Sequence, residues 1–276
     1  TFIKSLILLK NLYKNEKYNK DEKIQKLLRI INNIYVSIKD IMGKKDNLIY
    51  EMTPSEIQKK IEEYLPVKKA EKDEYGEVFT PQFLIEEMLD KLPTSVWENP
   101  NLKWLDPANG IGNFPMIVFE KLNNKLKKVN GYKDDKKRKQ HIIKNMLYMV
   151  ELNPKNVAVS RKIFGKDANI YCGSFLENDW KRAFGIDQFD VIIGNPPWNS
   201  SNLNVTGTNA GKGTLWDKFI IKSFEILDTN GYLGFIHPAN WRGLGLQSIW
   251  DILSNKQILY LRIYGIKDGQ NMFNVG

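Results

Sequence analysis

Asn195-Pro196-Pro197-Trp198 closes the apolar run Phe189-Asp190-Val191-Ile192-Ile193-Gly194. The run predicts a buried strand, and the tetrapeptide a rigid polar turn at its end. Two consecutive prolines fix two φ angles and remove two N–H donors. A side-chain amide oxygen and backbone carbonyls remain, held beside an aromatic face. That acceptor cluster suits an amino group on a flat ring, as on adenine or cytosine, or the amide of a glutamine.

Three upstream segments carry further chemistry. Leu105-Asp106-Pro107-Ala108-Asn109-Gly110-Ile111-Gly112-Asn113-Phe114 joins a strand to a helix through glycines. Glycine lets the backbone approach a ligand, and the helix N-terminus that follows favours negative charge. The dinucleotide fingerprint needs a third glycine where this chain has Pro115. A nicotinamide cofactor is therefore disfavoured. Asp106 argues against a phosphate cradle and for a ligand carrying an ammonium group or hydroxyls. In Val150-Glu151-Leu152-Asn153-Pro154, a carboxylate ends the next strand, where it can accept both hydroxyls of a ribose. Gly76-Glu77-Val78-Phe79-Thr80-Pro81 reads by itself as a helix cap with an apolar residue before it.

The elements that position these residues alternate. From Gly76 onward the pattern predicts helices at Thr80 to Leu92, Phe114 to Leu126, His141 to Met146, Pro154 to Phe164, Trp216 to Leu227 and Leu246 to Leu253. It predicts strands at Leu102 to Leu105, Leu147 to Val150, Asn169 to Cys172, Val191 to Ile193, Tyr232 to Ile236 and Ile258 to Tyr264. Val129 to Lys139 is charged and loop-like, and Asn230-Gly231 reads as a turn. Such alternation predicts an α/β fold with a doubly wound, mostly parallel sheet and ligands at the carboxyl ends of its strands. Residues 1–75 differ, being rich in Lys, Glu, Asn and Ile. Ile24, Leu27, Leu28, Ile31, Ile34, Tyr35, Ile38, Ile41 and Met42 recur at helical spacing, and Thr53-Pro54-Ser55-Glu56 is a helix start. This predicts an N-terminal helical appendage, 1–75, before a second region, 76–276. Asn199 to Gly213, full of Asn, Ser, Thr and Gly, reads as a loop beside the tetrapeptide, either a lid or a connector.

Composition bounds the setting. The chain has 276 residues, 42% of them hydrophobic, and a formal net charge of +9. An excess of this size favours an acidic partner such as nucleic acid, although a lysine-rich composition alone produces the same number. Cys172 is the sole cysteine, which excludes an intrachain disulfide and a cysteine-rich zinc site. It is expected as a small core residue of its strand. A reducing, cytoplasmic compartment is expected, with no metal. No apolar stretch is long enough to span a bilayer, so no membrane partner is expected. His141 reads as structural, and the chemistry assigned to Asn195 needs no histidine base from His237.

Taken in order, Phe-Thr-Pro, Asp-Pro-Ala-x-Gly-x-Gly-x-Phe and Asn-Pro-Pro-Trp resemble the gamma class of N6-adenine DNA methyltransferases. The similarity is nearest to the methyltransferase part of type I and type IIG restriction-modification proteins, and it covers Gly76 to Gly276. It implies a Rossmann-like methyltransferase sheet and S-adenosylmethionine as cofactor. Phe79 and Thr80 would border the methionine end. Asp106 and the backbone of Ala108 to Gly112, with Ala108, Gly110 and Gly112 foremost, would surround the amino acid part, and Glu151 would hold the ribose. Gly173-Ser174-Phe175-Leu176 occupies the place of the adenine-binding segment, with Ser174 where the family usually has Asp and Phe175 keeping the aromatic. Asn195, Pro196, Pro197 and Trp198 would bind a flipped adenine beside the cofactor, with Asn195 touching the cofactor as well. DNA is the implied partner, with a separate target-recognition domain expected beyond Gly276. The competing readings are methylation of RNA or of a protein glutamine, and a non-catalytic DNA-binding relic.

Overall fold

The computed structural model describes residues 80–198, 214–242 and 247–273, together with 31–36, 38, 39, 41 and 56. Phe79, most of the appendage and the Asn199 to Gly213 segment lie outside the described residues.

Five strands form one parallel sheet in the order β3-β2-β1-β4-β5. They are β1 (Trp104–Asp106), β2 (Leu147–Glu151), β3 (Asn169–Cys172), β4 (Phe189–Gly194) and β5 (Leu227–Phe235). Every residue of β1 and β2 is buried, and all but one of β4. Such continuous apolar strands are what a sheet covered on both faces requires. The first ladder sets Trp104 beside Leu147 and Val191, and Leu105 beside Tyr148 and Ile192. Because side chains alternate between faces, this register sorts the core in two. Trp104, Leu147, Met149, Val191 and Ile193 pack with α1 (Gln82–Leu89), α2 (Thr94–Glu98), α3 (Asn113–Leu126) and α5 (Pro154–Phe164). Leu105, Tyr148, Val150 and Ile192 pack with α6 (Trp180–Phe184) and α7 (Trp216–Ile226). The result is a three-layer, Rossmann-like α/β fold.

The described part of the appendage is helical. Its Ile38 and Ile41 are buried in the first of these two cores, with Ile31, Ile34 and Tyr35 packed against it. The apolar face read from residues 24 to 42 thus closes on the main domain where it can be seen.

Four local expectations are revised. The charged stretch before His141 contains a helix, α4 (Asp135–His141), capped by Asp134, whose side chain accepts from Lys137 N. Buried Arg138 anchors it, donating to Asn123 Oδ1 and to the carbonyls of Tyr132 and Lys133. Asn230-Gly231 does not precede its strand but lies within it, at an irregularity where Asp228 Oδ1 accepts from Asn230 N. Strand β5 runs through it and bulges, so that Phe189 pairs with Leu227 and Val191 with Tyr232. Ile258 to Tyr264 has no regular secondary structure and joins no ladder among the described residues, and Ile258, Leu259, Leu261 and Ile263 are exposed. A strand is defined by a neighbour that accepts its hydrogen bonds, and alternation cannot supply one. Cys172 is exposed rather than core, because β3 is an outer strand of the sheet. Two further helices, α8 (Gln247–Ser254) and α9 (Ile266–Phe273), follow β5.

Candidate active site

Strand order reverses at β1, which lies between β2 and β4. Ligands of open α/β sheets bind at such a switch point, outside the carboxyl ends of the strands. Asp106, Glu151, Ser174 and Asn195 end or follow β1, β2, β3 and β4 respectively, so the topology gathers the predicted residues along one rim.

The turn after β1 is fixed by its neighbours. Asn109 N donates to Val150 O at 2.9 Å, and Gly110 N donates to Glu151 Oε2 at 2.7 Å. Glu151 Oε1 accepts from Asn153 N at 2.6 Å. This carboxylate is buried and braces two loops at once. Asn109 Nδ2 donates to Ser160 Oγ at 2.8 Å, tying the turn to α5. Gly112 adopts φ +105°, and a Cβ there would lie 2.7 Å from Phe164 Cε2. Both the left-handed backbone and the close aromatic ring require glycine at this position.

Two acceptors around this turn are buried and unpartnered among the described residues, Asp106 Oδ2 and Asn109 Oδ1. Native proteins pair almost all such groups, and a donor-bearing ligand at this turn would pair these two. Burial pushes the Asp106 carboxyl up to about 7, against a single opposing hydrogen bond from Ala108 N. A carboxyl raised in the folded state costs stability as it ionises. The contribution is intact below the ordinary 3.8, declines as pH rises, and is lost above about 7. A cationic ligand reverses this by favouring the carboxylate. Its binding is therefore expected to release a proton near pH 6 and to tighten as pH rises toward 8. Calorimetry in buffers of different ionisation enthalpy, on wild type and Asp106→Asn, checks this. Equal proton release by the two proteins would remove Asp106 from the account.

Across the rim, β4 delivers Asn195 beside this turn. A Cβ on Gly194 would stand 2.9 Å from Asp106 Oδ1, so only glycine lets the two strand ends approach so closely. Gly194 O accepts from Ile236 N, which ties the exit of β4 to β5. The Asn195 amide is gripped at both ends. Nδ2 donates to Thr80 Oγ1 at 3.1 Å, and Oδ1 accepts from Trp198 Nε1 at 3.2 Å. Trp198 in turn meets Phe273 of α9 edge-on, ring centres 5.7 Å apart. Pro196 is buried, and Pro197 and Trp198 are half-buried.

Two predicted residues stand differently. Phe175 is buried, stacked on Trp180 on one side (5.5 Å) and on Phe219 on the other (5.2 Å). Its faces are occupied by the core, leaving at most an edge for a ligand. Ser174 is half-buried, and its carbonyl accepts from Asn178 Nδ2. Two side chains not singled out from the sequence belong to the rim. That of Asn109, whose backbone is expected there, is one. The other is Leu152, which follows Glu151 and is 56% exposed. His237 stacks on Trp216, and burial lowers its basicity. His141 Nε2 donates to Pro100 O, a structural contact. Among the described residues no group of three or more His, Cys, Asp or Glu could hold a metal ion. A surface depression of about 520 Å³ beside α6, lined by Asn178, Trp180, Asp187 and Lys222, shares none of the rim's residues.

A family model described as Eco57I restriction-modification methylase matches residues 3–273. The chain belongs to this family. Similarity to individual relatives is modest. An uncharacterized adenine-specific methylase of Mycoplasma pneumoniae is 27% identical, matching 60% of this chain and 55% of its own length. The type II methyltransferase M.VspI of Vibrio sp. strain 343 is 26% identical, matching 60% of this chain and 37% of its own length. The chain thus spans about half the length of these relatives, or less. Among solved structures, one of a type I restriction-modification system superimposes with a TM-score of 0.50 at 16% identity, over 83% of this chain and 44% of that one. That likeness is one of fold. No helix among the described residues is long and apolar enough to cross a membrane.

Proposed function

We propose that this chain transfers a methyl group from S-adenosylmethionine to the exocyclic amine of a flipped adenine in DNA. The observation that carries the reading is the contact of two strand ends. The Asn195 turn meets the Asp106 turn across Gly194, so an amine acceptor site adjoins a pocket with orphaned acceptors. The relatives named as adenine-specific and type II methyltransferases support the choice of amine.

The pocket residues fit that cofactor. Asp106 and Asn109 would receive its ammonium group, Glu151 its ribose hydroxyls and Leu152 a face of its adenine. Thr80 would border the methionine end, and Phe79, Ala108, Gly110, Gly112, Ser174 and the edge of Phe175 would complete the surround. When bound, S-adenosylmethionine supplies a methyl group on a positively charged sulfur, open to attack by a nitrogen lone pair. The chain's own task is to make that lone pair available. An aromatic amine delocalises it into the ring. Asn195 Oδ1 and the Pro196 carbonyl would each accept one amine hydrogen, turning the nitrogen toward a tetrahedral arrangement. Pro197 keeps the turn rigid, and Trp198 would stack on the base, worth about 1–3 kcal/mol as for other base–aromatic contacts. Most of the acceleration then comes from positioning and fixed dipoles. A base paired in a duplex must be flipped to reach such a site, and the net charge of +9 favours the approach of DNA. The surrounding DNA sequence would be read by a recognition domain rather than by this rim.

The test is transfer of labelled methyl groups from S-adenosylmethionine to duplex DNA, to RNA and to glutamine-bearing protein. N6-methyladenine in DNA is the expected product. Transfer to RNA or protein with none to DNA would overturn the substrate, and failure to bind the cofactor would favour a relic.

A further inference from the structure

We propose that Thr80 is a positioning residue that sets the orientation of the Asn195 carboxamide, together with the indole N–H of Trp198. The inference rests on Asn195 being the amine acceptor. A carboxamide has two ends of nearly equal size and opposite hydrogen-bonding sense. Only one orientation presents an acceptor to an amine. Here the two ends are held by groups from distant parts of the chain. Trp198 Nε1 can only donate, so the end it meets must be oxygen, at 3.2 Å. Rotating the amide by half a turn would set N–H against N–H. At the other end Nδ2 donates to Thr80 Oγ1 at 3.1 Å, 115 residues away in sequence.

Thr80 is poorly explained by any local duty. It stands one residue ahead of Pro81, which occupies the N-cap of α1 and makes no side-chain cap hydrogen bond, so Thr80 is not at the position from which a hydroxyl caps a helix. The hydroxyl meets Asn195 instead, and the residue is only 7% exposed. Oδ1 carries two lone pairs. With one engaged by the indole, the other remains for the amine, and the Thr80 contact keeps the amide plane from swinging. A threonine that merely borders the cofactor would contribute to cofactor affinity and nothing else. A threonine that orients Asn195 contributes to turnover at saturating cofactor.

The experiment compares Thr80→Val, Thr80→Ala and Thr80→Ser with wild type and Asn195→Ala, measuring kcat and the KM for S-adenosylmethionine on DNA. Valine and alanine are expected to lower kcat by about tenfold or more, with KM within about threefold, and serine to restore most of kcat. If valine does not fold, alanine and serine carry the same contrast. A raised KM at unchanged kcat in the valine and alanine variants would reduce Thr80 to a cofactor contact and overturn the proposal. So would a serine variant as slow as valine, since the methyl group rather than the hydroxyl would then matter. Retained turnover in Asn195→Ala is a separate outcome: it sinks the catalytic assignment itself, and the Thr80 role with it. Loss of turnover in Asn195→Ala alone, with every Thr80 variant at wild-type kcat, rejects only Thr80.

Discussion

Asn195→Ala is expected to lower the single-turnover rate of methyl transfer by about 10²–10³-fold, the scale seen when one preorganised polar group is removed from an active site. Cofactor affinity is expected to hold within about threefold, because the alanine leaves the Asp106 and Glu151 contacts in place. The physical basis is the amide oxygen at the end of β4. It is a fixed acceptor, aimed by Trp198 Nε1 on one side and steadied through Nδ2 by Thr80 on the other. Removing it leaves the amine without one of its two acceptors, so its lone pair stays in the ring. Asn195→Asp should fall between, since it keeps an oxygen acceptor but loses the Nδ2 donor. Rapid-quench measurement with labelled methyl groups, paired with calorimetry for the cofactor, separates rate from binding. Near-normal transfer by the alanine variant would sink the assignment of Asn195.

Glu151→Ala is expected to weaken cofactor binding by about 100-fold, equivalent to roughly 2.7 kcal/mol, and to lower the melting temperature of the empty protein as well. The two effects share a cause. The carboxylate accepts from Gly110 N at 2.7 Å and Asn153 N at 2.6 Å in a buried setting. Alanine strands both N–H groups, each at a cost of about 1–3 kcal/mol, and removes the oxygens that would meet a ribose. Glu151→Gln is the informative companion. It keeps one acceptor for a backbone N–H but turns an N–H₂ toward the other, so stability should recover in part. Titration calorimetry and thermal melting, run on both variants, check the pair. Wild-type affinity in Glu151→Ala would remove the residue from the cofactor site and leave it a brace for the two loops.

Much of this arrangement was legible from residues alone, for identifiable reasons. Apolar runs ending in Asp106, Glu151 and Asn195 marked three strand ends, and α/β alternation put them on one rim of a parallel sheet. What escaped depended on neighbours distant in sequence. Exposure of Cys172 follows from β3 lying at the outside of the sheet, which strand order decides and composition does not. Phe175 kept the expected aromatic character, but Trp180 and Phe219 cover its faces, and neither contact is visible in a local window. The Asp135–His141 helix looked like a loop because charge dominates it, and its anchor is one buried arginine gripping carbonyls before the helix. The Asn230-Gly231 pair carries turn chemistry, and it falls in the register shift of β5, between the residues that pair with β4. Thr80 looked like a cap for the same reason: its partner is 115 residues away.

The strand order also bears on how the protein acquires activity as it folds. Residues from β1, β2 and the loop after β3 line the side assigned to the cofactor, and all lie before residue 176. The acceptor side waits for β4, which completes its pairing only with β5, and for Phe273 in α9 to meet Trp198. A chain folded through β3 therefore holds most of the residues assigned to the methyl donor and none of those assigned to the base. Competence for transfer depends on the complete sheet, since the residues assigned to the base are placed only with β4, β5 and α9 present.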